Sequence, residues 1–181
     1  MVFVNNKNLI SFRKQFKLRK FTRNNKINNT MAQLKEGMQA PPFEGTDQNG
    51  RLVRLSDYYG KKVILFFYPK DNTPGCTAEA CNLRDNYNSF LKKGFAVIGV
   101  SMDNEKSHKN FASKYSLPFP LIADTSKKII NDYGVWKEKK LYGKSFLGIA
   151  RTTFIIDEKG MIETIISKVE TKTHSEQILS V

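Results

Sequence analysis

Two uninterrupted apolar runs organise the chain. Val63-Ile64-Leu65-Phe66-Phe67-Tyr68 and Phe95-Ala96-Val97-Ile98-Gly99-Val100 lack polar alternation, the pattern of strands covered on both faces. Pro69 ends the first run, and a helical pattern follows over residues 75–93 until Gly94 stops it. Further helical patterns cover 105–115 and 126–133, on either side of a short strand, Leu121-Ile122-Ala123. Leu52-Val53-Arg54-Leu55 reads as a short strand after the Asn49-Gly50 turn. Thr152–Ile156, the turn Asp157-Glu158-Lys159-Gly160 and Met161–Ile166 form a β-hairpin, and a short helical tail lies near 172–180. Strand, helix, strand, helix and then a hairpin predict one α/β domain: a mixed central sheet with helices on both faces.

Composition changes this picture little, but charge changes it locally. The 181 residues suffice for one domain with a full core, and 40% are hydrophobic. No stretch reaches the roughly eighteen apolar residues of a membrane-spanning helix, so no membrane partner is expected. The net charge is +13, of which residues 1–30 carry +8 with no Asp or Glu. The remaining 151 residues are only mildly basic. Residues 1–30 read as a basic, disordered extension, and the working domain as 31–181, starting near Met31. Two other readings of the extension stay open: an organellar transit peptide, or a nucleic-acid-binding tail. Without them the expected location is cytoplasmic.

Cysteine usage points to chemistry. Cys76 and Cys81 are the chain's two cysteines. A structural zinc site needs four ligands, and His108 and His174 stand at no ligand-like spacing, so no metal is expected. The spacing is also not the Cys-x-x-Cys of a general dithiol oxidoreductase. Cys76 falls in the first turn of the predicted helix, after a loop stiffened by Pro69 and Pro74. Free backbone N–H groups and the positive end of the helix dipole favour a thiolate there. Thr73 can bring a hydroxyl within reach of the sulfur. At about 100° per residue, Ala80, Leu83, Tyr87, Phe90 and Leu91 lie within roughly 60° of Cys76, which places it on the core-facing stripe. Cys81 is roughly 140° around, on the solvated side. Residues five apart on an ideal helix have Cα atoms about 8.7 Å apart. A disulfide tolerates no more than about 7 Å, so a bond between these cysteines requires the first helical turns to unwind. Spacing alone also fits two inert, buried helical cysteines.

The flanking residues decide between these readings. Pro69-x-x-x-Thr73-x-x-Cys76 resembles the active-site signature of peroxiredoxins. The longer run from Tyr68 to Cys81 is similar to the peroxiredoxin Q, or bacterioferritin comigratory protein, subgroup. The resemblance implies a thioredoxin-like fold and a peroxidase that reduces hydrogen peroxide and organic hydroperoxides without a cofactor. It implies Cys76 as the peroxidatic cysteine, Thr73 as its hydrogen-bond partner, Pro69 as a shield and Cys81 as the resolving cysteine in an intramolecular disulfide. It also implies Arg151 as the cation beside the thiolate, thioredoxin or another dithiol protein as reductant, and a monomer. Outside the signature, His108 and His174 sit in polar stretches and are expected to be exposed. Lys137-Glu138-Lys139-Lys140 reads as a solvated loop, and Trp136 as a partly buried core residue.

Overall fold

The computed structural model describes residues 33–141 and 143–181. The expectations placed on residues 1–30, a disordered, targeting or nucleic-acid-binding extension, lie outside these. Among the described residues no helix is long and apolar enough to cross a membrane.

The sheet forms around the first apolar run, β3 (Lys62–Phe67). It pairs in parallel with β4 (Phe95–Ser101), which pairs in parallel with β5 (Leu121–Ala123). On its other side β3 pairs antiparallel with β8 (Thr152–Ile156), and β8 with β9 (Ile162–Ile166). The order β5-β4-β3-β8-β9 is the mixed sheet read from the sequence.

Alternation along β3 builds two cores. Val63, Leu65 and Phe67 enter one cluster with Phe43, Ile129, Tyr133 and Phe154. Ile64, Phe66 and Tyr68 enter the other with Cys76, Ala80, Leu83, Phe90 and Phe111. Helices α1 (Pro74–Asp85), α2 (Tyr87–Lys92), α3 (Glu105–Tyr115) and α5 (His174–Leu179) bring residues to the second cluster. Helix α4 (Lys128–Asp132) covers the first, beside a small hairpin of β1 (Glu44–Thr46) and β2 (Leu52–Arg54). Gly99 is required by packing, since a Cβ there would stand 2.7 Å from the side chains of both Leu121 and Phe66.

Three local expectations are corrected. The helix expected over 75–93 breaks at Asn86, whose φ of −102° and ψ of 7° leave the helical region. Its side-chain amide donates to the Asn82 carbonyl (3.0 Å), a local bond that competes with the helix. The wheel drawn from Cys76 therefore fails beyond the break: Phe90 is buried, but Leu91 is 49% exposed. Residues 137–140 are not a loop. They lie in β6 (Trp136–Leu141), paired antiparallel with β7 (Lys144–Ile149) in a hairpin outside the main sheet. Finally, His108 and His174 are fully buried, each hydrogen-bonded to residues distant in sequence.

Candidate active site

The loop from Pro69 to Thr73 leaves the end of β3 and enters α1, at the edge where open α/β sheets place their ligands. Asp71 anchors it from below. This buried carboxylate accepts from the Tyr68 hydroxyl (2.8 Å) and the Ser107 hydroxyl (2.7 Å), and stands 2.9 Å from His108 Nδ1. His108 Nε2 faces the Ile122 carbonyl at 3.2 Å. Asp71 N–H donates to Asp103, which also accepts from the Ser101 hydroxyl. Asp71, Asp103 and His108 bring ligand-type atoms within 4.8 Å of one another. Those atoms are already spent on the network's own hydrogen bonds, so the cluster acts as an anchor for the loop.

Helix α1 begins with Thr73 as N-cap and Pro74 in its first turn. Thr73 does not cap with its side chain, nor does it reach the sulfur as expected. Its hydroxyl donates to the Lys70 carbonyl (3.0 Å). Among the described residues no acceptor meets the Gly75 and Cys76 amides, which leaves them for an anion. Cys76 is 1% exposed, and Pro69 is half-buried beside the loop.

Arg151 does meet Cys76. Register explains how: β8 runs antiparallel to β3 with Thr152 opposite Phe67, so the residue before β8 arrives where the cysteine loop starts. Arg151 Nη2 stands 3.3 Å from Cys76 Sγ, and Nη1 donates to Glu79 Oε2. A Cβ on Gly75 would lie 3.3 Å from Nη2, so glycine keeps the guanidinium's approach open. Burial alone would lower the Arg151 pKa, but the Glu79 carboxylate and the Cys76 sulfur outweigh it and raise it. From the β6–β7 hairpin, Lys139 adds a second cation near the site. Its pKa is lowered by burial and then by Arg151, with Cys76 pulling the other way.

Sequence reasoning missed Glu79 and His174. Glu79 is fully buried one turn after Cys76, at about −60° on the same wheel that picked out Ala80 and Leu83, so its position was there to be read. His174, at the start of α5, gave no such signal. Its Nε2 lies 2.8 Å from Thr153 Oγ1 and 3.8 Å from Glu79 Oε1.

Cys81 is half-buried, less open than the helical wheel implied, and both cysteines are free thiols. Arg84, one turn on, is pinned by Asp85 Oδ1 (2.7 Å) and the Tyr115 carbonyl (2.7 Å). Its pKa is raised mainly by Asp85, against slight burial, and then by the neighbouring Cys81 sulfur. Between Cys81 and Arg84, Asn82 ties α1 to the chain's end. Its amide donates to the Lys172 carbonyl (2.9 Å), and its Oδ1 accepts the Ser175 N–H (2.7 Å), capping α5 from outside. Asn82→Ala removes both bonds and is expected to cost about 1–2 kcal/mol in urea unfolding. A Cys76–Cys81 disulfide would require α1 to unwind and break this tie, so if peroxide forms that bond the same variant should close it faster, read by stopped-flow Trp136 fluorescence.

Residues 37–165 match the AhpC/TSA family. The chain is similar to a putative peroxiredoxin bcp from Coxiella burnetii: 44% identical over 146 residues, covering 81% of this chain and 97% of the relative. Peroxiredoxin Bcp of Bacillus subtilis is 45% identical over 143 residues, covering 79% and 91%. Among solved structures, a cysteine-to-serine mutant of Xanthomonas campestris peroxiredoxin Q superposes with a TM-score of 0.72 at 36% identity, covering 76% of this chain and 88% of that one. The bacterioferritin comigratory protein of the same organism, described through trapped intermediate and ligand complexes for its alkyl peroxide reduction activity, gives 0.75 at 32% identity, covering 81% and 96%. These relatives lend no support to a nucleic-acid-binding reading. With its thioredoxin-like sheet and the Tyr68–Cys81 signature, the chain belongs to the AhpC/TSA family, in the peroxiredoxin Q/bacterioferritin comigratory protein group.

Proposed function

We propose that this thiol peroxidase uses Cys76 as its peroxidatic and Cys81 as its resolving cysteine. The supporting observation is the Arg151 guanidinium 3.3 Å from a buried cysteine sulfur in the first turn of a helix. The Cys76 thiolate attacks the terminal oxygen of ROOH. An S–O bond forms, the O–O bond breaks, and the alkoxide leaves as ROH after taking a proton. Arg151 and the free first-turn amides face the charge as it moves from sulfur to oxygen. Thr73, at the N-cap, and Pro69, which narrows the access, complete the pocket. Cys81 then displaces hydroxide from the sulfenic sulfur, releasing water and forming the intramolecular disulfide, which a dithiol donor reduces by exchange. The residues 31–181 form the working domain, which acts as a monomer, with thioredoxin as donor. The absence of Cys-x-x-Cys spacing favours peroxidase over general dithiol exchange.

One equivalent of peroxide tests this reading. The expected product has lost two hydrogens in mass, runs as a monomer on a non-reducing gel, and is restored by thioredoxin with its reductase and NADPH. A disulfide-linked dimer, or a mass gain of one oxygen with no disulfide, would refute the resolving role of Cys81.

A further inference from the structure

Glu79 places a carboxylate where the site already holds an anion. Its side chain is fully buried, Oε2 is bonded to Arg151, and among the described residues Oε1 has no hydrogen-bond partner. Arg151 therefore serves two groups, the Cys76 sulfur through Nη2 and the Glu79 carboxylate through Nη1. One buried cation cannot neutralise two buried anions, and the excess charge is costly in a poorly solvated interior.

The nearest group able to resolve this excess is His174, whose Nε2 lies 3.8 Å from Glu79. Its tautomer follows from its neighbours. Gln177 Oε1 accepts the Glu170 N–H (2.8 Å), and Gln177 Nε2 donates to the Lys168 carbonyl (3.0 Å), so the amide's orientation is fixed. His174 Nδ1, 3.1 Å from that Oε1, must then be the N–H that donates to it. In the neutral ring, Nε2 carries the lone pair, accepts from the Thr153 hydroxyl (2.8 Å) and offers no hydrogen to Glu79. At 3.8 Å the two atoms are too far apart for a hydrogen bond, so an added proton, on Oε1 or on Nε2, acts by removing the uncompensated charge from the pair. The charged and titratable groups bearing on this pair are Arg151 before β8 and, through its fork, Cys76 on α1; Lys139 from β6 acts on Arg151 and Cys76 in turn.

Resting on the assignment of Cys76 as the reacting thiol, we propose that Glu79 and His174 hold a single buried proton between them, which frees the Arg151 charge for the Cys76 thiolate and is given up when that thiolate is consumed. On ionisation, Cys76–SH and Glu79–COO⁻ become Cys76–S⁻ and Glu79–COOH. On reaction, Cys76–S⁻, ROOH and Glu79–COOH become Cys76–SOH, ROH and Glu79–COO⁻, which conserves atoms and charge. Once the sulfur is neutral, the carboxylate takes Arg151 for itself. Glu79 and His174 act through Arg151 and so are positioning residues. Burial supports this proton's place: it pushes Glu79 up to about 7 against the pull of Arg151. It also lowers His174 to about 4, with Gln177 opposing and Arg151 reinforcing that shift.

Linkage supplies a signature independent of catalysis. In the unfolded chain the histidine holds the proton between about pH 4.5 and 6.5; in the folded protein the carboxylic acid holds it. Folding moves the proton without changing its number, so the pair adds almost no pH dependence to stability there. His174→Gln leaves a carboxyl whose folded pKa is raised, so Tm should fall as pH rises from about 4.5 towards 7. Glu79→Gln leaves a histidine whose folded pKa is lowered, so Tm should fall as pH drops from about 6.5 towards 4. Slopes of equal sign in the two variants, each referred to the parent, overturn the pair.

Infrared difference spectroscopy on the unmodified full chain tests the coupling and needs no variant that must fold. Near pH 8, above the value of about 7 that burial and Arg151 set for Glu79, the reduced protein should show the carbonyl stretch of a buried carboxyl kept protonated beside the thiolate, and one equivalent of peroxide should remove it. Peroxide consumed with no change in that band overturns the coupling. If Cys76 does not react, the functional assignment fails, while the opposed Tm slopes still stand for the pair.

Discussion

Cys76→Ser should reduce peroxide turnover to the uncatalysed background, a fall of at least roughly 10⁴-fold, the scale on which loss of a catalytic nucleophile falls. The expectation is strong because nothing nearby can replace the sulfur. Cys81 sits five residues on, with its Sγ beside Arg84 and away from the Arg151 fork. A serine hydroxyl at position 76 would not ionise near neutral pH and is a far poorer nucleophile towards an O–O bond. Cys81→Ser should behave differently. It should consume one equivalent of peroxide at close to the parental rate and then stop, because the sulfenic acid has no intramolecular partner. Coupled NADPH oxidation with thioredoxin and its reductase, beside single-turnover peroxide loss, distinguishes the two variants. Sustained turnover in Cys81→Ser would show that the donor resolves the sulfenic acid directly and would remove Cys81 from the cycle.

Arg151→Met should lower the rate of the first step by about 10²–10³-fold, the cost of losing one preorganised charge aimed at a developing anion. A second effect comes with it. Removing the guanidinium leaves the one negative charge shared by Cys76 and Glu79 buried without its counter-charge, and breaking a buried ion pair from one side costs about 3–5 kcal/mol. The variant should therefore lose stability as well as activity, and the loss should shrink at acid pH, where that shared charge is neutralised by a proton. Arg151→Lys separates these effects. One ammonium can approach either Cys76 or Glu79 but lacks the planar fork that holds both, so it should recover much of the stability and little of the rate. Urea unfolding at two pH values and stopped-flow peroxide reduction give the two readouts. If Arg151→Lys reacted at the parental rate, a point charge would suffice and the fork would carry no catalytic weight.

The sheet could be read from the chain because burial on both faces leaves a mark that needs no partner: Val63 to Tyr68 and Phe95 to Val100 are apolar whatever they pack against. The cysteine loop was legible for a related reason, since Pro69, Thr73, Pro74, Gly75 and Cys76 fall within eight consecutive residues. What failed depends on distance. His108 and His174 look like exposed polar residues, because their partners lie elsewhere in the chain: Asp71 is 37 residues from His108, and Thr153 is 21 from His174. A buried, satisfied histidine and a solvated one are identical in a window of polar neighbours. The strand at 136–141 was hidden because its hairpin stands apart from the main sheet, and most of its residues between Lys137 and Lys140 are exposed. Thr73 shows the converse error: closeness in sequence suggested a bond to the sulfur, but the loop turned the hydroxyl to Lys70. Glu79 lay in plain view on the helical wheel, and its charge, not its angle, kept it off the core-facing stripe.

The tie between α1 and the last residues also matters while the protein is being made. Arg151 follows Cys76 by 75 residues, and Ser175 follows Asn82 by 93. Synthesis runs from the amino end, so a ribosome must pass Arg151 before the thiol can gain its cation and Ser175 before the helix can gain its staple. Until then Cys76 is an ordinary cysteine on an unfinished sheet. A polypeptide ended before Arg151 carries the signature without the guanidinium beside its sulfur.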